Sequence, residues 1–416
     1  VHFVTPFTGT YIFTNPKEKI LMSKGRIYQD PQFKYIDSYS KREVVQLTNY
    51  LGHSHHFYFT DACWFNNGRS FIFKSDRENA NNFFRYDLDT GTITQLTDLK
   101  DTKPSGGYYS EANHALYFWA NRVLYELNMD TLEERTIYEV ASPAISPGRP
   151  ASTADGKYIC SMLAEYPPED KPRVAFSYSR FREFFKNPPF SQLARIEVAT
   201  GKMETILEDR RYMTHVNTSP TLPDIMTYCH EGPWDWVEQR IWGLNIQTGE
   251  TWKIRPQEGD VSVGHEYWFA DGERIGYHGS TRTGDDLHLF GFLKWDNSGH
   301  IERRFPFRSI HFHSLNEDLI VGDGTPASVF SSAGVKGDPV RPFIQLFKWD
   351  GEQYVGPKIL SFHRSTFNDQ HAHCHPRFTP DGKSILYTSD LTAYSNMYLV
   401  EIGDFEELPD LTDNER

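Results

Sequence analysis

Cysteine is scarce in this chain, and the little there is does not pair. Cys63, Cys160, Cys229 and Cys374 show no C-x-x-C and no matched spacing. That pattern argues against a disulfide scaffold and reads as reduced, mostly buried thiols of a cytoplasmic protein. Long apolar runs are also missing, so no transmembrane helix and no membrane partner are expected. Positive charge is in deficit: 43 Lys and Arg face 56 Asp and Glu, a formal net charge of −13. That argues against nucleic acid or an anionic membrane as the main partner. A small anionic ligand is not, because a local basic pocket can sit inside an acidic protein. Absent too are G-x-S-x-G, the P-loop, the dinucleotide fingerprint and H-E-x-x-H, which argues against serine-hydrolase and nucleotide chemistry.

What is abundant is aromatic residues, at 15%, with 29 Gly and 24 Pro. This suits many short strands joined by turns. A strand-like run followed by a second run with a tight turn recurs seven times. "SFIFKSD" with "NNFFRYDLDTGTITQLTD" and "ERIGYHGS" with "HLFGFLKWDNSGHIERRF" are two such units. Turn marks recur at Asp89-Thr90-Gly91, Asp130-Thr131, Thr200-Gly201, Thr248-Gly249, Asn297-Ser298-Gly299 and Asp350-Gly351. These residues accept positive φ or cap their own backbone. The period is roughly 40–55 residues, that of four-stranded propeller blades. The seventh unit lacks one strand, and "REVVQLTN" at 42–49 is a spare one. Pairing the two closes the ring and removes an open sheet edge. The fold class expected is all-β, a seven-bladed β-propeller closed by N- and C-terminal strands. Residues 22–416 form one propeller domain in this reading, with an insertion near 164–190 that includes a helix-like "RFREFFKN". No second α/β domain of the kind that accompanies propellers in some peptidases is visible.

A propeller gathers loops and inner-strand ends around a central channel, where histidines distant in sequence can meet. The chain has 17 His, several just before or within the first strand of a unit: His53, His55 and His56; His230; His265; His311 and His313; His371, His373 and His375. In an extended strand His371, His373 and His375 share one face and Cys374 takes the other. Gln370 is out of phase and joins only if the chain bends before the strand. His373 and His375 are the best ligand pair. His311, at the equivalent place in the preceding unit, is the leading third, and Gln370 can add an oxygen. Three imidazoles and an amide oxygen suit manganese, iron, cobalt or zinc better than calcium or magnesium. Hydrogen-bonded channel histidines without a metal are the alternative.

Arg240 lies within a run containing Trp234, Trp236 and Trp242. An Arg there can clamp a carboxylate while aromatic rings stack on a sugar. Taken alone, a structural Arg paired with Glu231 or Glu238 is the better reading. Arg240, Trp234, His55 and His230 form the candidate substrate-binding set. His265, beside a metal and an arginine, is a candidate general base. Glu266 alternates away from it on a strand and is not expected to orient it.

At these residues the sequence resembles the oligogalacturonate lyases, from Met22 to about residue 403. The resemblance rests on "MSKGRIYQDP", "FTDACWFNNGRSFIF", "YCHEGPWDWVEQRIW", "GHEYWFADG", "HFHSLNEDLIVGDG" and "QHAHCHPRFTPDGKSILYTSD", the last four being specific together. It implies a seven-bladed propeller and a manganese-type divalent ion held by His311, His373, His375 and Gln370. It also implies a catalytic base at His265 and a carboxylate-binding arginine at Arg240. The activity implied is β-elimination of short 4-linked galacturonate oligosaccharides to 4,5-unsaturated products, as in pectin degradation. The 164–190 stretch, the extra His313 and His371, and the rich His53–His56 cluster depart from the family pattern. They touch the substrate's identity more than the reaction type. A lyase for another uronate oligosaccharide, such as an ulvan fragment, is the alternative, as is a non-catalytic binding scaffold. Residues 1–21 lack the order of a signal peptide, and Met22-Ser23-Lys24-Gly25 reads as a natural start. Residues 1–21 are accordingly expected to be an extension outside the native protein.

Overall fold

The computed structural model describes residues 24–100, 102, 104–166, 182–233, 235–281, 287–306, 309–324 and 342–411. The proposed extension at 1–21, most of the 164–190 insertion and Trp234 lie outside these residues. Seven antiparallel sheets follow one another along the chain and form the blades of a seven-bladed β-propeller. Their inner strands include Ser54–His56, Pro104–Ser110, Met213–Thr218, Val261–Trp268, Phe312–Ser314 and Arg377–Phe378.

The hairpins are built by one recurring device. In the first blade the Asp87 carboxylate accepts the backbone N–H groups of Asp89 and Thr90, and Gly91 follows at φ 69°. Asn128, Asn245 and Asp350 repeat this in the second, fourth and sixth blades. A short acceptor side chain thus holds a backbone turn that an apolar residue leaves unsatisfied.

The ring closes as the sequence pattern predicts. Glu43–Gln46 pairs antiparallel with Asn396–Glu401, with Val44 opposite Val400. The Thr48 hydroxyl donates to Asn396 Oδ1 at 2.9 Å. Two further strands come from the same segment: Phe33–Ile36 extends the closing blade outward, and Ile27–Tyr28 pairs with Ile93–Gln95 of the first blade. The N-terminal segment therefore ties the seventh blade to the first on both sides of the seam.

Apolar side chains fill the spaces between neighbouring blades. Tyr117, Trp119 and Leu124 of the second blade pack with Ile159, Leu163 and Ile196 of the third. Ile241 of the fourth packs with Val263, Tyr277 and Leu289 of the fifth. Each such buried side chain contributes about 1.5–3 kcal/mol, so the apolar mass stabilises blade contacts. The channel is left to polar groups.

Candidate metal centre and active site

His311 precedes the inner strand of the sixth blade. Asp323, just beyond the next strand and wholly buried, fixes it from two directions. Its Oδ1 accepts the backbone N–H of His311 at 2.9 Å, and its Oδ2 lies 2.6 Å from His311 Nδ1. The ring is thereby oriented with Nε2 left for a ligand, the arrangement typical of a metal-bound imidazole.

His373 and His375 arrive differently from the expectation. Gln370–Ala372 is a turn of 3-10 helix, and the strand begins only at Arg377–Phe378. The three histidines therefore do not share a strand face. His371 leaves the group: its ring stands 4.3 Å from that of His53 and 6.1 Å from that of His55, centre to centre. His373 and His375 turn toward His311, with ring centres 5.6 and 4.4 Å from it. One potential ligand atom from each of the three lies within 4.8 Å of the others. Cys374, between them, is buried in the apolar core, as its alternation suggests. Gln370 occupies the bend, with an exposed side chain.

The residues present fit a divalent transition metal. His373 Nδ1 and His375 Nε2 are buried without a hydrogen-bond partner. Such orphaned nitrogens are costly unless something fills the space between them. Burial, reinforced by the neighbouring His311, pushes the His373 imidazole down to about 4 and His375 well below the ordinary histidine range. Neutral rings have the free lone pairs that a metal requires.

His265 stands beside this triad, its ring centre 4.8 Å from that of His311. It sits on a bulge between Gly264 and Tyr267, where its φ of 51° turns the side chain out of the pleat. Bulges re-aim side chains in this way beside active sites. Its Nδ1 lies 3.1 Å from His278 Nε2, leaving Nε2 for a substrate. Burial first, then His311, His278 and Arg240, hold its pKa well below the ordinary value.

Arg240 lies on the preceding, fourth blade, buried. Its Nη1 and Nη2 donate to the two oxygens of Glu231 at 2.9 and 3.3 Å. Its Nε lies 3.7 Å from Glu266. A Cβ on Gly264 would come within 2.9 Å of that Nε, so glycine there permits the close approach. Burial by itself raises a carboxyl, but Arg240 and His215 override it and hold Glu231 well below the usual carboxylate range.

A family model for oligogalacturonate lyase matches residues 22–405. The chain belongs to the oligogalacturonate lyase family. It is 30% identical to an oligogalacturonide lyase of Pectobacterium atrosepticum and 29% identical to an oligogalacturonate lyase of Dickeya dadantii. Each match covers 92% of this chain and 99% of the relative. A solved oligogalacturonate lyase in complex with manganese superposes with a TM-score of 0.79 at 25% identity, over 93% of this chain and 99% of that one.

Around this family core the other named residues fall in two places. His55 is half-buried on the rim with His53 and His371. His230 faces away from the arginine: it packs on Trp242 and lies 3.4 Å from an Arg211 nitrogen. Three residues of the site were not legible one by one. Asp323 orients His311. Tyr58 has its ring centre 4.8 Å from His375, with the Arg149 guanidinium 4.1 Å above its own ring. His215 lies against both Glu231 and Glu266. His215 stands ten residues before the second strand of its blade, at Ile225, and His265 nine before its own, at Arg274, so spacing does not pair them.

Proposed function

We propose that this chain cleaves short 4-linked galacturonate oligosaccharides by metal-assisted β-elimination, leaving a 4,5-unsaturated uronate. The observation that carries the reading is the His265 imidazole, held neutral and placed 4.8 Å, centre to centre, from the ring of His311 in the triad. A C5 proton is weakly acidic while the adjacent carboxylate is charged, so a base must work beside positive potential. A divalent ion such as manganese, held by His311, His373 and His375 with Gln370 as a further donor from the bend, supplies that potential when bound. His265 takes the C5 proton on Nε2. Arg240 adds a fixed cation behind the base, and its fork can meet a substrate carboxylate only by exchange with Glu231. His55 on the rim contacts the oligomer beyond the reacting sugar. Trp234 belongs to the same substrate-binding set, whereas the contact of His230 with Arg211 favours a structural role for it. Short imported oligomers and four free thiols suit the cytoplasm. No helix among the described residues is long and apolar enough to cross a membrane.

Absorbance of the unsaturated uronate tests the proposal, with di- and trigalacturonate, with manganese(II) and with chelator. Metal-dependent growth of the band is the expected result. Growth only on other uronate oligomers would keep the chemistry and change the substrate. Silence on every uronate with metal loaded would overturn the reading in favour of a binding scaffold. His265→Ala should abolish turnover with metal content intact, whereas His373→Ala should lose both.

A further inference from the structure

The fold makes the His265 device twice. In the fourth blade the strand Met213–Thr218 carries a bulge between Thr214 and Asn217, and His215 sits on it at φ 51°. In the fifth blade His265 has the same bulge and the same φ of 51°. A non-glycine residue at positive φ is uncommon, and two histidines held so in adjacent inner strands indicate a shared purpose. Their ring centres are 6.3 Å apart.

Their surroundings differ in sign. His265 faces imidazoles and, further off, Arg240. His215 lies between two carboxylates: Nε2 is 3.5 Å from Glu231 Oε2, and Nδ1 is 3.9 Å from Glu266 Oε1. Glu266 is wholly buried, and both its oxygens lack hydrogen bonds. Arg240 supplies one positive charge against these two negative ones. Among the described residues, Cys229, Tyr58 and Tyr212 also pack here, and burial pushes each of them up. His215 is a second basic side chain that lies against both carboxylates. Two like groups in opposite environments are the usual mark of an acid–base pair.

We propose that His215 is the general acid, protonating the leaving oxygen while His265 takes the C5 proton. The proposal rests on the lyase reading above. The C5–H bond breaks to His265, and its electron pair forms the C4–C5 double bond. The C4–O4 bond breaks, and O4 receives the proton of His215. Solvent restores both imidazoles after product release. The two breaking bonds lie on adjacent carbons, which suits two imidazoles of neighbouring blades at this separation.

The test uses the manganese-loaded full chain, trigalacturonate, and a galacturonate with an aryloxy group at C4, whose leaving oxygen needs no proton. His215→Gln should lower kcat on trigalacturonate about 100-fold or more, the scale of general acid catalysis, with little change in KM. On the aryloxy substrate its loss should be under about tenfold, because acid assistance is worth little for a good leaving group. Glu266→Gln, which removes one of the two carboxylates, should show the same pattern more weakly. Metal content and circular dichroism confirm folding. Equal losses on both substrates, no loss, or rescue by the aryloxy group in Tyr58→Phe instead would each overturn the proposal. Wild-type inactivity on both substrates would overturn the lyase reading itself.

Discussion

At the scale of single residues, the site depends on groups that never meet substrate. Asp323 is the clearest case, since it holds both the backbone and the ring of His311. Asp323→Asn should weaken manganese affinity about 10–100-fold, the usual effect of losing a partner that orients a ligand. Titration calorimetry of the apo protein would show it; unchanged affinity would mean His311 is not a ligand or needs no orienting. Glu231 is the second case. Glu231→Gln leaves the buried Arg240 charge short of its bidentate partner, a defect worth roughly 3–5 kcal/mol. Denaturant unfolding at pH 7 measures the loss directly. The Glu231 carboxyl is depressed in the folded state, so its contribution is present in full above the ordinary carboxyl pKa and is lost progressively as pH falls from there toward the depressed folded value. The difference between wild type and variant should therefore shrink in acid. A difference that held constant to low pH would contradict the pairing.

Elements explain what the sequence could and could not disclose. The turn marks and alternating runs located every blade, because an Asx-type turn is written in two or three adjacent residues. The closing strand was legible for the same reason: a repeat short of one strand demands a partner. His311, His373 and His375 were legible as types and positions, but not the bend at 370–372 that sends His371 elsewhere. The bulges were not legible at all, since an extra residue in a strand shifts the face of its neighbours without changing composition. That hid His215. It also puts Glu266 against Arg240 rather than His265, the partner its neighbour on the strand does not share. The closing strand carries its own prediction. Val44 is fully buried opposite Val400. Val44→Asp places an unpaired charge in the seam and should cost about 3 kcal/mol or more. A lowered denaturation midpoint with an unchanged metal affinity in the folded protein is expected. A midpoint within error of wild type would mean the seam holds without this strand.

The molecule as a whole stores neutral histidines, and this sets its response to acid. His56 contacts the backbone oxygens of Phe57 and Cys374, and His363 that of Asp323, so both bridge separate segments of the ring. Burial pushes each down to about 4. In the unfolded chain these imidazoles titrate near about 6.5. Between these values the unfolded state binds protons that the folded state refuses, so stability rises with pH across that window and is level above it. Each group contributes on the order of 3 kcal/mol that is fully present above pH ~6.5 and gone below pH ~4. The melting temperature should therefore fall steeply as pH is lowered from about 6.5 to about 4. His363→Gln should flatten that slope, because it removes one of the refused protons while preserving a polar side chain near the Asp323 carbonyl. Thermal scans across this range with chelator present separate this effect from the metal site, whose own histidines bind protons in competition with the ion. A slope identical in wild type and variant would show that His363 takes up its proton without unfolding, and would place the acid sensitivity at the channel instead of the blade seams.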